Sequence, residues 1–252
     1  MKTIILCGGL GTRLGNLTKL KPKPMILINS EPIIWHIIKS YVKHGFNEFI
    51  LATGYKHKFI DKYFLKLNNK VKDSFKIIIL KKNQKYKPNK NEISIKLAFT
   101  GKDTLTGGRL LKLNNELKLE NNFMLTYGDG VSNINLKKLV KFHIKNNKIA
   151  TVTAVNPPAR FGALTISKNI VKKFREKVQT SEGWINGGFF VFNKKIFTFL
   201  KNDKTILEQE PMKKLVAIKQ INAFKHRGFW HCIDTIRDKE NLEEILKNRK
   251  LK

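Results

Sequence analysis

The chain has 252 residues, 41% of them apolar, enough for one large domain with a buried core. It carries 50 Lys and Arg against 19 Asp and Glu, a formal charge of +31. That charge is nearly all scattered lysine without interleaved aromatics, so it suits small anions better than nucleic acid. Two distant cysteines exclude a disulfide framework and a zinc cluster, and no run of 18 apolar residues is present to insert in a membrane.

The N-terminal apolar run is too short for a signal peptide, so a cytoplasmic location is expected. Lys2–Cys7 reads as a buried strand running into Gly8, Gly9 and Gly11. Pro32 opens a helix whose Ile33, Ile34, Ile37, Ile38, Tyr41 and Val42 follow i, i+3/i+4 spacing, and Gly45 ends it. Glu48–Thr53 is a strand and Lys56–Leu67 a helix; Phe75–Leu80 and Ile93–Phe99 are strands. Between those two strands, Lys81–Asn91 has Tyr86 as its one large apolar side chain and carries five lysines, so it reads as a mobile excursion. Asn122–Tyr127 is a strand ending in Gly128-Asp129-Gly130, Asn135–Asn146 a helix and Ala150–Val155 a strand. This alternation predicts an α/β fold with a mostly parallel sheet flanked by helices. Beyond residue 156 shorter strands follow at Ala163–Ser167, Ile170–Phe174 and Gly187–Phe192, with helices at Lys194–Leu200, Pro211–Ala217 and Ile236–Arg249. The expected organisation is one domain, with a core over 1–155 and a smaller portion over 156–252.

A strand that stops in glycines at the carboxyl edge of a parallel sheet is a usual ligand site, because bare backbone N–H groups can approach phosphates. No GK[ST] follows, so the loop is not a P-loop. Leu14 stands where a dinucleotide fingerprint needs its third glycine. What remains is G-G-x-G-T-R, whose Arg13 suits bidentate phosphate contact. Lys21-Pro22-Lys23-Pro24 follows, where the prolines stiffen the backbone and aim the lysines.

With GGLGTR and KPKP on one βα unit, the sequence resembles the sugar-1-phosphate nucleotidylyltransferases. The segments PIIWHIIKSY, LATGYK, TGGRL, TYGDGV, ATVTAVNPPARFGAL, WINGGFFV, EQEPM and GFWHCIDTIRDK extend the likeness over nearly the whole chain. They bring it nearest the branch that joins CTP to α-D-glucose 1-phosphate. The resemblance implies a Rossmann-like nucleotide-binding core with a small β-rich sugar-binding portion. It also implies Mg²⁺ dependence, a homo-oligomer such as a hexamer, CDP-glucose and pyrophosphate as products, and a role in deoxysugar and O-antigen-type lipopolysaccharide synthesis. The alternatives are the same reaction with UTP or dTTP, or a noncatalytic basic binding protein on the same fold.

The same resemblance assigns roles. The backbone of Leu6, Cys7, Gly8, Gly9, Leu10, Gly11 and Thr12 cradles the nucleotide, with Gly128, Thr106 and Arg109 beside it. Arg13 holds the departing phosphates, and Lys23, rather than Lys21, neutralises charge at the α-phosphate. Asp129 and Asp234 are the metal carboxylates, hard oxygen ligands of the kind Mg²⁺ takes in small number. Each has a plainer reading, Asp129 as a turn former and Asp234 as a helix cap. For Thr106 and Arg109 the plainer reading is a helix entry with Thr106 as cap and Arg109 on the surface. Glu176 and Lys177 hold the sugar and its phosphate, although Val178 stands where the family continues with proline. Asn186 and Gly187 face the sugar, while Phe189 and Phe190 belong to the core. Cys7 reads as packing rather than a nucleophile. His36, on an apolar helix face, reads as a satisfied core residue; His143 and His226 lack metal partners, and His231-Cys232 is unusual for the branch.

Overall fold

The computed structural model describes residues 1–9, 11, 15, 18, 21–81, 84–117, 120–156, 163–167, 169–175 and 183–250. The predicted site residues Leu10, Thr12, Arg13, Glu176 and Lys177 lie outside these.

The five residues of β1 (Thr3–Cys7) are all buried, as a strand covered on both faces requires. After it come the short pair β2 (Leu27–Ile28) and β3 (Glu31–Pro32), then α1 (Ile33–Val42). Pro32 is extended at φ −59° and ψ 142°, so the helix starts one residue after it and buries the predicted apolar face together with Trp35. Next are β4 (Glu48–Thr53), α2 (His57–Leu67), β5 (Val71–Lys72), β6 (Phe75–Leu80) and β7 (Glu92–Phe99). The chain continues through α3 (Thr106–Lys112), α4 (Asn114–Leu117), β8 (Asn122–Tyr127) and β9 (Gly130–Ser132) to α5 (Leu136–Asn146) and β10 (Ala150–Val155). The last part holds β11 (Ala163–Ser167), β12 (Ile170–Arg175), β13 (Ile185–Asn193), α6 (Glu210–Ala217), β14 (Ile221–His226), β15 (Trp230–Cys232) and α7 (Ile236–Lys250).

Among the described residues nine strands form one sheet in the order β14-β10-β13-β8-β1-β4-β7-β6-β5. The pairs β1–β4, β1–β8, β4–β7, β6–β7 and β10–β14 are parallel; β13 is antiparallel to both β8 and β10. Alternate residues of β1 enter opposite layers. Ile5 and Cys7 join the cluster packed by Ile38, Phe64, Leu139 and Leu242, while Ile4 and Leu6 join Leu110, Leu117 and Leu215 on the other face. From β1 the chain first builds the sheet toward β7 and then returns to add β8 on the other side. A crevice therefore opens beyond the carboxyl ends of β1 and β8, the place where such sheets bind ligands.

One expectation is corrected here. The segment expected as a helix over 194–200 is a 3-10 helix, Lys194–Phe199. After residue 156, β11–β12 form a separate two-stranded pair, while β13 and β14 complete the large sheet. Within Lys81–Asn91, the described residues Tyr86 and Asn89 are tied to Glu92, Tyr86 Oη donating at 2.6 Å and the Asn89 N–H at 3.1 Å.

Candidate active site

A cavity of about 630 Å³ fills the crevice. Leu6, Cys7, Gly8, Gly9, Gly11, Lys23, Thr106, Arg109, Gly128, Asp129, Asn186, Gly187 and Asp234 all line it, so every predicted site residue among those described is brought to one place.

The glycines there do different work. A Cβ on Gly9 would meet nothing within 4 Å, so this backbone is open to close approach. A Cβ on Gly8 would lie 2.1 Å from the Arg109 Cζ, and one on Gly54 would lie 2.4 Å from its Nη1. Arg109, on α3, is only 4% exposed. Its Nη1 donates to Thr53 O (3.0 Å), Thr100 Oγ1 (2.7 Å) and Gly101 O (2.8 Å), and its Nη2 donates to Gly8 O (2.8 Å). The guanidinium thus ties together the carboxyl ends of β1, β4 and β7, and the surface reading of Arg109 does not hold. Gly107 and Gly108 seat α3 on the 203–205 segment: the Gly107 N–H donates to Thr205 O at 2.9 Å. A Cβ on Gly108 would meet Asp203 O at 2.3 Å. The cap position of α3 is Leu105, and Thr106 is its first residue.

In the Lys-Pro-Lys-Pro stretch Lys21 is exposed, whereas Lys23 begins a 3-10 turn that points its chain into the cavity. Lys23 Nζ lies 2.6 Å from Asp129 Oδ2 and 2.8 Å from Asp234 Oδ1. Burial alone would lower the Lys23 ammonium; the two carboxylates outweigh it and hold the group above its ordinary value. Asp129 leaves the end of β8 beside Gly128, whose N–H donates to Leu6 O at 3.1 Å. Antiparallel pairing of β15 with β9 sets Cys232 opposite Gly130 and so carries Asp234 to Asp129. Asp234 is not the helix cap. Asp238 Oδ2 accepts the Thr235 N–H at 2.8 Å and the Asp238 N–H donates to Thr235 Oγ1 at 3.1 Å. This capping box leaves the Asp234 carboxylate directed at Lys23.

Ligand atoms of Asp129, Cys232 and Asp234 lie within 4.8 Å of one another. The Lys23 ammonium between the two carboxylates shows that the gap accepts a cation, and their oxygens suit a hard one. The thiol is a softer donor, pushed up to about 12 by burial and then by Asp129. Burial also pushes the Cys7 thiol up, against the pull of Arg109, and its Sγ contacts Ile5 O at 3.3 Å, as packing requires.

Sequence reasoning missed Tyr127 and Glu208. Tyr127 Oη donates to Glu208 Oε1 at 2.5 Å and accepts from Asn186 Nδ2 at 3.2 Å. Its place at the end of a central strand was the available signal. Glu208 opens the EQEPM stretch, but nothing in that stretch names its partners, which are 102 and 81 residues away. The histidines are structural: Nε2 of His36 contacts Ile28 O, Nδ1 of His143 contacts Thr151 Oγ1, and Nε2 of His226 contacts Phe229 O.

A sheet of this order, with a lysine and carboxylate cluster in the crevice at the carboxyl ends of β1 and β8, has its ligand site where open α/β sheets place it. The family described as nucleotidyl transferase matches residues 2–237, and the chain belongs to that family. It is 41% identical over 245 residues to the glucose-1-phosphate cytidylyltransferase of Salmonella typhi, covering 97% of this chain and 95% of that one. It is 42% identical over 254 residues to the probable glucose-1-phosphate cytidylyltransferase of Bacillus subtilis, covering 98% and 95%. Among solved structures, HddC from Yersinia pseudotuberculosis complexed with GMP-PN shares the fold, with a TM-score of 0.69 and 22% identity over 97% of this chain and 99% of that one. No helix among the described residues is long and apolar enough to cross a membrane.

Proposed function

We propose that this nucleotidyltransferase moves the cytidylyl group of CTP to α-D-glucose 1-phosphate. A phosphate oxygen of the sugar phosphate forms a new bond to the α-phosphorus of CTP. The bond from that phosphorus to the bridging oxygen breaks, and pyrophosphate leaves with the electron pair. The attacking oxygen is already an anion, so no enzyme nucleophile or base is required. Catalysis is positioning and charge neutralisation. The observation that carries the reading is the Lys23 ammonium between Asp129 and Asp234, at the mouth of the glycine-rich loop.

In this reading the open backbone at Gly9 receives the nucleotide, and Arg13 holds the phosphates that depart. Lys23 turns to the α-phosphate when substrate arrives. Asp129 and Asp234 would hold Mg²⁺, which would supply neutralisation of phosphate charge. Glu176, Lys177, Asn186 and Gly187 take the sugar phosphate. The choice of base and sugar rests on the two cytidylyltransferase relatives. We further propose, from the family resemblance alone, a cytoplasmic homo-oligomer.

The test is pyrophosphate release from the purified protein with Mg²⁺ and α-D-glucose 1-phosphate, offering CTP, UTP, dTTP, ATP and GTP in parallel. Release with CTP alone is expected. Release with another nucleotide instead removes the cytidine assignment and keeps the chemistry.

A further inference from the structure

Glu208 lies behind the cavity wall and joins two of its sides. Its Oε2 accepts the Thr106 hydroxyl at 2.6 Å and its Oε1 accepts the Tyr127 hydroxyl at 2.5 Å. A carboxylate only accepts, so both hydroxyl protons are committed to it. The remaining geometry fixes what those oxygens can still do. The Leu207 N–H donates to Thr106 Oγ1 at 2.9 Å, taking one of its two lone pairs. Asn186 Nδ2 donates to Tyr127 Oη at 3.2 Å, and the Asn186 amide cannot turn over without losing the Gly188 N–H, which its Oδ1 accepts at 2.8 Å. Burial first, then the Glu208 charge, push the Tyr127 phenol above its ordinary value, so it keeps its proton. Thr106, Tyr127 and Asn186 line the cavity.

We propose that Glu208 is a positioning residue that keeps the Thr106–Tyr127 wall an acceptor-only surface, which selects substrates presenting a hydrogen-bond donor to it. The inference rests on the nucleotidyl-transfer reading above and adds to it a source of selectivity. Two substrate groups have the required chemistry. One is a hydroxyl of the sugar. The other is the 4-amino group of cytosine, which uracil and thymine replace with a carbonyl. A carbonyl there would face acceptors, and the desolvated wall would be left without its donor.

Glu208→Gln tests the idea. The amide supplies one acceptor and one donor, so one of the two hydroxyls accepts from it and turns its proton toward the cavity. In one arm kcat/KM is compared for CTP and UTP with glucose 1-phosphate. In the other, with CTP, glucose 1-phosphate is compared with its deoxyfluoro analogues, whose fluorine cannot donate. The variant is expected to shrink the preference for the donor-bearing partner by about tenfold in one arm, a change of about 1.4 kcal/mol, and the arm that moves names the group. A uniform fall in kcat/KM with both ratios unchanged is what a merely structural role gives, and it overturns the proposal. If Glu208→Gln does not fold, Thr106→Val and Tyr127→Phe each delete one acceptor, and unchanged ratios in both are equally fatal. If the wild-type chain releases no pyrophosphate from CTP and glucose 1-phosphate, the transfer reading has failed. The ratios of dissociation constants for the same ligand pairs then decide the proposal.

Discussion

At Lys23 burial and charge oppose each other, and charge prevails because two carboxylates converge on one ammonium. Removing one carboxylate leaves the lysine and the other aspartate in place. Asp129→Asn is therefore expected to abolish turnover while the melting temperature changes by only a few degrees; retained turnover would remove Asp129 from the chemistry. Arg109 differs, because its guanidinium is the donor for Gly8, Thr53 and Gly101 carbonyls in the interior. Arg109→Ala opens a void and strips these carbonyls of a charged donor, although the Tyr55 N–H still reaches Gly8 O and Thr100 still donates to Thr53 O. A cost of roughly 2–3 kcal/mol is expected, measurable as a lower denaturant midpoint. Much of the site was legible at this scale. G-G-x-G, Lys-Pro-Lys-Pro and Gly-Asp-Gly are short motifs whose backbone demands are local. The guanidinium's carbonyl partners come from three separate strand ends, and nothing in the stretch around Arg109 names them.

Along the elements, strands such as Glu48–Thr53 and Ala150–Val155 were read from their apolar runs with the bounds the structure gives. β14 was not, because it is an edge strand whose half-buried and exposed positions are not matched by an alternation of apolar and polar residues. In α3 the two glycines invite a phosphate-loop reading, yet they fit the helix against a segment some hundred residues later. Gly108→Ala is expected to unseat that helix, and circular dichroism during urea unfolding should show a loss of about 2 kcal/mol or more from overpacking. On α5, burial holds His143 at about 4, below its ordinary 6.5, so the folded state binds fewer protons than the unfolded one between those values. Its contribution is full above pH 6.5 and lost as pH falls toward 4, by up to about 3 kcal/mol. Replacing His143 with Gln should flatten that part of the stability–pH curve; an unchanged slope would show that other groups cause it.

Over the whole molecule the charge of +31 surrounds a cavity proposed to take two polyanions. Long-range attraction of this kind is screened over about 8–10 Å at moderate salt. KM for both substrates is therefore expected to rise steeply with ionic strength while kcat changes little, as initial-rate measurements across a salt series would show. The parallel core was legible because β-α alternation leaves few ways to connect strands. The insertion of β13 between β8 and β10 was not, since an antiparallel strand can pair at many places and its position depends on neighbours distant in sequence.

The arginine wedged between Gly8 and Gly54 also constrains how such a chain can drift. A side chain at either glycine collides with the guanidinium, and loss of the guanidinium removes the tie between three strand ends and leaves a void where it sat. Single substitutions at any of the three are damaging, so the positions are free to change only as a set. Across descendants of this fold, side chains at the two glycine positions should appear where the arginine has already gone.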